Sequence, residues 1–302
     1  MKVVILGTAA GGGFPQWNCN CGRCASCRTA AAGVVPRTQD GLAISADGSD
    51  WYLVNASPDI RAQILATNLL APGPGPRESP IRGALLTDAE LDHSLGLLML
   101  REGDGLEVHA PAAALDALRN DFAVREIVSR YGDWAWFSVD DGMTLGRLRV
   151  RVLAVSNKRP KYTRADAPGP WVVAFRIEDP ATGGVLVYAP CLATWPEEFD
   201  AFVDGASYVL LDGTFFGPDE MSGSTRAGVG TQAQRAMGHL PIAGPDGSLV
   251  RIRKLCAVQP GTGWAYVHLN NTNPVLDATS PEYAEVRAAG VELPLDGTVL
   301  DL

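Results

Sequence analysis

Short, fully apolar runs recur along the chain, each closed by a glycine, a proline or an acidic turn. This pattern predicts buried strands alternating with amphipathic helices. Residues 3–6 (VVIL) predict a first strand that runs into the glycine-rich turn GTAAGGG at 7–13. Residues 42–46 and 51–55 predict a hairpin turning at Asp47-Gly48. A helix is expected over 59–66 with Ser57 as its cap, and APGPGPRESP at 71–80 is a loop by its prolines and glycines. The run IRGALLT predicts a strand and LDHSLGLLMLRE a helix. LEVHA predicts another strand, and residues 112–130 carry helical spacing. Strands are expected again at 148–155, 171–177 and 185–189, then at 209–216 as strand and turn. Residues 217–248 are rich in glycine, strands are expected at 253–258 and 264–268, and a short helix near 280–289. The alternation is broken by no linker, so residues 1–302 are expected to form one α/β domain.

Composition narrows the class without identifying it. Hydrophobic residues make up 46% and charged residues 20%, which argues against wholesale disorder. A net charge of −9 leaves no basic stripe to neutralise phosphates, so nucleic acid is not an expected partner. No apolar run approaches the roughly 20 residues a membrane helix needs, and the first one ends at Gly7. A cytoplasmic protein is expected. Four of the six cysteines fall within residues 19–27, and under reducing conditions such crowding favours a metal over disulfides.

That cluster, CNCGRCASC, places Cys19, Cys21, Cys24 and Cys27 at C-x-C-x2-C-x2-C. Thiolates this close on a turn suit a tetrahedral ion, and Zn²⁺ is the expected one. A ligand from elsewhere in the chain would serve equally as the fourth, leaving Cys27 free. The plain alternative is a loop of unligated thiols. Iron–sulfur ligation fits the spacing less well. Cys256 reads as a core residue, whereas Cys191, just after Tyr188-Ala189-Pro190 at a strand end, stands where a ligand would sit. The turn GTAAGGG matches neither phosphate-binding fingerprint and reads as room for close backbone approach.

A second constellation is TDAELDHSLGL at 87–97, which brings Asp88, Glu90, Asp92 and His93 together at a strand end and helix start. On residue types alone a solvated acidic turn explains it as well as a cation site does. Laid out as D-x-E-x-D-H-x-x-G, however, it resembles H-x-H-x-D-H-x-x-G, the metal signature of the metallo-β-lactamase superfamily, with the first two histidines replaced. LGTAAGGGFPQWNCNC, YAPC, LLDGTF, GHLPI, VHLNNTNP and LDGTVLDL extend the likeness nearly end to end. On these motifs the chain resembles the PQQ-biosynthesis protein B family, a branch of that superfamily.

The resemblance implies a four-layer αββα sandwich, with two mixed sheets face to face, helices outside and metals at the sheet edge. It also implies a role in making pyrroloquinoline quinone (PQQ), a redox cofactor built from a Glu and a Tyr of a precursor peptide. Asp92, His93 and His268 match the superfamily's second metal site. Cys191 falls at the bridging-Asp position, and Asp212 is a further nearby carboxylate. At the first site, Asp88 and Glu90 replace two histidines, and Ser156-Asn157-Lys158 replaces the third. The resemblance places His239, Asn270 and Asn271 at the pocket, while His109 reads as a partly buried structural residue.

Two histidines and one carboxylate with open positions form the ligand set of non-haem Fe(II) oxygenases. The expected activity is therefore hydroxylation of the tyrosine ring of the cross-linked Glu–Tyr intermediate by Fe²⁺ and O₂. Asp88, Glu90 and Asp212 would act as supporting bases, and structural zinc would sit in the knuckle. Two alternatives stand beside this reading. One is a zinc-dependent hydrolase; the other is a non-catalytic protein that carries PQQ or its precursor in transport. Other proteins of the same pathway are expected partners.

Overall fold

The computed structural model describes residues 1–139, 141–164, 167–218, 220 and 236–302. Fourteen strands among them form two seven-stranded mixed sheets. The first contains β1 (Lys2–Gly7), β2 (Gly41–Ser45), β3 (Trp51–Val54), β4 (Ile81–Leu85), β5 (Glu107–Ala110), β6 (Ala135–Ser138) and β14 (Val299–Asp301), in the order β14-β1-β2-β3-β4-β5-β6. The second contains β7 (Met143–Leu145), β8 (Leu148–Ser156), β9 (Val172–Glu178), β10 (Val185–Ala189), β11 (Tyr208–Asp212), β12 (Gly263–Val267) and β13 (Val291–Glu292), in the order β13-β12-β11-β10-β9-β8-β7.

The two-residue period of a strand explains why so many of these segments read as unbroken apolar runs. Along β1, Val3 and Ile5 face one core while Val4 and Leu6 face another. Leu42, Leu85, Phe175, Tyr188 and Leu210 join Val3 in the layer between the sheets. Ala43, Leu53, Val187, Leu211 and Tyr266 turn to the outer faces and pack with helical residues such as Ile60, Leu118 and Val286. These outer layers hold α1 (Gly22–Arg28), α2 (Ile60–Ala66), α3 (Leu91–Ser94), α4 (Ala112–Asn120), α5 (Val124–Val128), α6 (Phe199–Val203), α7 (Ser248–Val258) and α8 (Pro281–Ala288). The arrangement is the metallo-β-lactamase fold expected from the motifs. None of the described helices is long and apolar enough to cross a membrane.

The hairpin at Asp47 forms as expected, with Leu42 opposite Val54 and Asp47 Oδ1 accepting from the amides of Ser49 and Asp50. Several expectations are corrected. Residues 253–258 belong to α7, not to a strand. Residues 255–258 are an apolar run, but Leu249, Ile252 and Leu255 recur at helical spacing and are buried. Cys256 consequently lies half-buried on a helix. The helical stretch 112–130 is broken into α4 and α5. Ser57 does not cap α2; its Oγ accepts instead from the amide of Asp59, in the turn before the helix. Most of the glycine-rich stretch 217–248 (219 and 221–235) lies outside the described residues.

The helix expected from LDHSLGLLMLRE is only one turn long, α3, and continues as a 3₁₀ segment over Leu95–Leu100. Gly96 explains the tight packing there. The backbone at His93 and Gly96 is laced to the loop after β3, with Ala56 N donating to His93 O (2.7 Å) and Gly96 N to Ala56 O (2.9 Å). A β-carbon on Gly96 would lie 2.6 Å from the carbonyl oxygen of Ala56. Gly96→Ala is therefore expected to destabilise the protein by about 2 kcal/mol or more in urea unfolding. Wild-type stability in that variant would show that the loop is free to move away.

Candidate metal centre

Strands paired in parallel deliver their carboxyl ends to the same edge of a sheet, where open α/β sheets place their ligands. In the second sheet β10, β11 and β12 are parallel, as are β3 to β6 in the first. The segments leaving β4, β10 and β12 carry Asp88, Cys191 and His268 to one pocket region, and Asp212, at the end of β11, stands beside His268. The main cavity has a volume of about 560 Å³ and is lined by Asp92, His93, Lys158, Cys191, His239 and His268 among others.

Each imidazole is held by its Nδ1 atom. His93 Nδ1 lies 2.9 and 2.8 Å from the two carboxylate oxygens of Asp88. Those oxygens also accept from the Glu90 amide and the Thr87 hydroxyl, both at 2.8 Å. His239 Nδ1 lies 2.8 Å from Asp212 Oδ2, which also accepts from the Leu192 amide at 2.7 Å. His268 Nδ1 donates to Thr214 Oγ1 at 2.8 Å, and that hydroxyl donates to Asp212 Oδ1 at 2.7 Å. A proton fixed on Nδ1 leaves Nε2 as the bare, ligating nitrogen.

The Nε2 atoms of His93 and His268 converge on Asp92. Asp92 Oδ2 is 3.3 Å from His268 Nε2 and 4.0 Å from His93 Nε2, and the two rings meet edge to face at 5.2 Å. His93 Nε2 is buried and has no hydrogen-bond partner among the described residues. Such an orphan is costly unless something else satisfies it. Two backbone features bring the three donors together. Gly11, in the turn after β1, lets the backbone approach so closely that a β-carbon there would lie 3.0 Å from Asp92 Oδ2. His268 sits at φ +56°, a left-handed conformation that an ordinary residue adopts at a cost of order 1 kcal/mol. It is held there by Leu269 N donating to Thr8 O (2.8 Å) and Ala10 N donating to Leu269 O (2.9 Å).

The electrostatics describe a cluster built for a cation. Burial would raise the Asp92 carboxyl, but the charge of His93 and the hydrogen bond from His268 outweigh it and hold it far below the usual carboxylate range. Burial would likewise suppress charge on His93, yet Asp88 and Asp92 raise it to about 10. The carboxylates that favour positive charge on His93 would equally favour a metal cation at its Nε2. Asp92, His93 and His268 fit a divalent metal by donor chemistry, by fixed tautomers and by the orphaned Nε2.

Asp88 and Asp212 are buried and fully engaged, so they orient imidazoles and do not line the main cavity. Glu90 does line it, paired with Lys158 Nζ at 3.0 Å. The positions of a first metal site are therefore bridged by an ammonium–carboxylate pair. Asn270 lines the cavity, whereas Asn271 does not and turns to the cysteine knuckle. His109 lies away from the centre, buried, 3.3 Å from Glu107 and stacked on Phe137. Residue patterns did not single out Asp40, which is buried behind the histidines. It accepts from the Tyr188 hydroxyl at 2.5 Å, and burial pushes its carboxyl up to about 6. Its only sequence signal is the tyrosine of YAPC, which says nothing about its partner.

At the knuckle, the thiols of Cys19, Cys21 and Cys24 lie within 4.8 Å of one another. Cys27 does not join them. It lies one turn of α1 beyond Cys24 and is not among the thiols that meet there, although both side chains are buried. The carboxamide of Asn271 caps the three thiols instead, its Nδ2 3.1 Å from Cys19 Sγ and 3.4 Å from Cys24 Sγ. Amide nitrogen and oxygen exchange by a half-turn, so Asn271 can offer Oδ1 as a fourth donor.

Residues 50–257 match the beta-lactamase superfamily domain. The coenzyme PQQ synthesis protein B of Pseudomonas fluorescens is 40% identical over 305 residues, covering 98% of each chain. Its counterpart in Cupriavidus necator is 39% identical over 315 residues, covering 100% of this chain and 99% of its own. The crystal structure of Zn²⁺-bound PqqB from Methylobacterium extorquens superposes with a TM-score of 0.89 at 37% identity, with both chains covered completely. The two clusters of donors are separate, so metal stoichiometry of Cys21→Ser and of His93→Ala is expected to fall by one ion each, and by two in the double variant. A single substitution that emptied both sites would contradict this.

Proposed function

The chain belongs to the coenzyme PQQ synthesis protein B family of the β-lactamase superfamily, and we propose that it serves PQQ synthesis as a mononuclear iron oxygenase. Its substrate in this reading is the cross-linked Glu–Tyr intermediate, hydroxylated on the tyrosine-derived ring. The observation that carries the reading is the donor set. Two imidazoles with bare Nε2 atoms and one carboxylate meet at an open pocket, while the positions of a first metal are taken by Glu90 and Lys158.

Asp92, His93 and His268 would hold the ion. Iron(II) held by this set would supply the redox chemistry that places one oxygen atom of O₂ on the ring, the other leaving as water with two electrons from an external reductant and two protons. The remaining steps belong to the protein. Lys158 and Lys161 line the pocket and offer positive charge to the carboxylates of a Glu-derived substrate. His239, with Nδ1 fixed on Asp212, presents Nε2 as the base for the phenol proton. Asp88 keeps His93 in its ligating tautomer, so its contribution runs through that imidazole.

A hydrolase of the binuclear kind needs a second ion to clamp its substrate, and the Lys158–Glu90 pair opposes that reading. Protein loaded anaerobically with Fe(II), mixed with the intermediate and then exposed to ¹⁸O₂ is expected to yield a product carrying one labelled oxygen. The yield is expected to fall by roughly a hundredfold or more in His93→Ala, since even outer partners of a metal site are worth about 10–100-fold. Absence of any O₂-dependent product, together with tight binding of PQQ or its precursor, would favour a carrier instead.

A further inference from the structure

Cys191 lines the pocket, and the oxygenase reading leaves it without a role. It follows Pro190 at the end of β10, and its Sγ lies within 4.8 Å of a ring nitrogen of His93 and of His268, which are themselves that close to each other. Asp92 Oδ2 joins the same two histidines from the side of α3. A thiol at this place could be a small apolar lining residue. A second, independent feature argues otherwise. His93 is 1% exposed, and its buried Nε2 has no hydrogen-bond partner among the described residues. A buried imidazole nitrogen beside a thiol and a second imidazole would be satisfied by an ion held between them.

The other close cluster, Asp212 with His239 and His268, does not compete for that ion. Both oxygens of Asp212 are already engaged by Leu192, Thr214 and His239. Its neighbours' Nδ1 atoms are spent on Asp212 and Thr214. Among the described residues, the unpartnered His93 Nε2 belongs to the cluster that holds Cys191.

We propose that Cys191 is a fourth ligand of the centre, its thiolate completing an N₂OS set with Asp92, His93 and His268. The inference rests on the reading that those three residues hold a metal. It carries a chemical consequence. Metal binding deprotonates the thiol, and the soft donor feeds electron density to the ion. Four protein ligands still leave an octahedral ion two positions for O₂ and substrate, while a tetrahedral ion such as zinc would be closed.

Cobalt spectroscopy separates this inference from its premise. Protein with zinc in the knuckle is given one further equivalent of Co²⁺, and wild type is compared with Cys191→Ser, Cys191→Asp and His93→Ala. Wild type is expected to show visible ligand-field bands together with a near-ultraviolet sulfur-to-cobalt charge-transfer band. Cys191→Ser should keep the visible bands, lose the charge-transfer band and bind cobalt roughly tenfold or more weakly. Cys191→Asp should regain the affinity without the band. An unchanged charge-transfer band and affinity in Cys191→Ser would overturn the inference and leave the three-ligand site standing. Wild-type cobalt binding and visible bands in His93→Ala would remove the premise itself.

Discussion

The centre depends on two carboxylates that are buried beneath it. Asp88 and Asp212 are each about 1% exposed, and a carboxylate in that position is tolerable only when its lone pairs are satisfied. Both are: backbone amides, threonine hydroxyls and imidazole Nδ1 atoms fill their coordination. In return the imidazoles are fixed in rotation and tautomer, and their Nε2 atoms are presented to Asp92 and the cavity. Placing the protons on Nδ1 decides which nitrogens can ligate. It also fixes where a cation would be held, between His93, His268 and Asp92.

The knuckle serves the same end from a distance. Asn271, which closes over Cys19, Cys21 and Cys24, is only three residues beyond His268 in the chain. Asn273, two residues further, donates to the carbonyl of Gly213 and caps the following turn through Val275 N. The loop after β12 is thus pinned at the knuckle and at the turn after β11, and His268 keeps its left-handed backbone between those restraints. A zinc ion in the knuckle would stabilise the geometry of the active centre without touching it. The ion pair of Lys158 and Glu90 does the complementary work at the opposite wall, filling by charge the region where a second metal would otherwise be needed.

Much of this was legible in the sequence where local pattern and physical cause coincide. Apolar runs marked the strands because both faces of each sheet are covered. D-x-E-x-D-H-x-x-G marked the centre because its residues are contiguous, and Gly96 ends the motif because the loop at Ala56 leaves no room for a side chain. What could not be read were pairings between distant segments. Nothing near Asp40 announces Tyr188, and nothing near Asn271 announces Cys19. C-x-C-x2-C-x2-C gives Cys27 the same standing as Cys24, yet only Cys24 comes within ligand distance of Cys19 and Cys21. The apolar stretch at 255–258 misled because the burial that decides between helix and strand is a tertiary fact. Short edge strands such as β7 and β13 have too few residues for any period to show.

One measurement bears most directly on a single metal centre beside a structural knuckle. Crystals grown with excess Zn²⁺ can be mapped by anomalous scattering at the zinc edge. Two peaks are expected, one among Cys19, Cys21, Cys24 and Asn271 and one among Asp92, His93 and His268, with the Lys158–Glu90 pair intact. A third peak held by Asp88 and Glu90, with Lys158 displaced, would contradict it and restore a binuclear site.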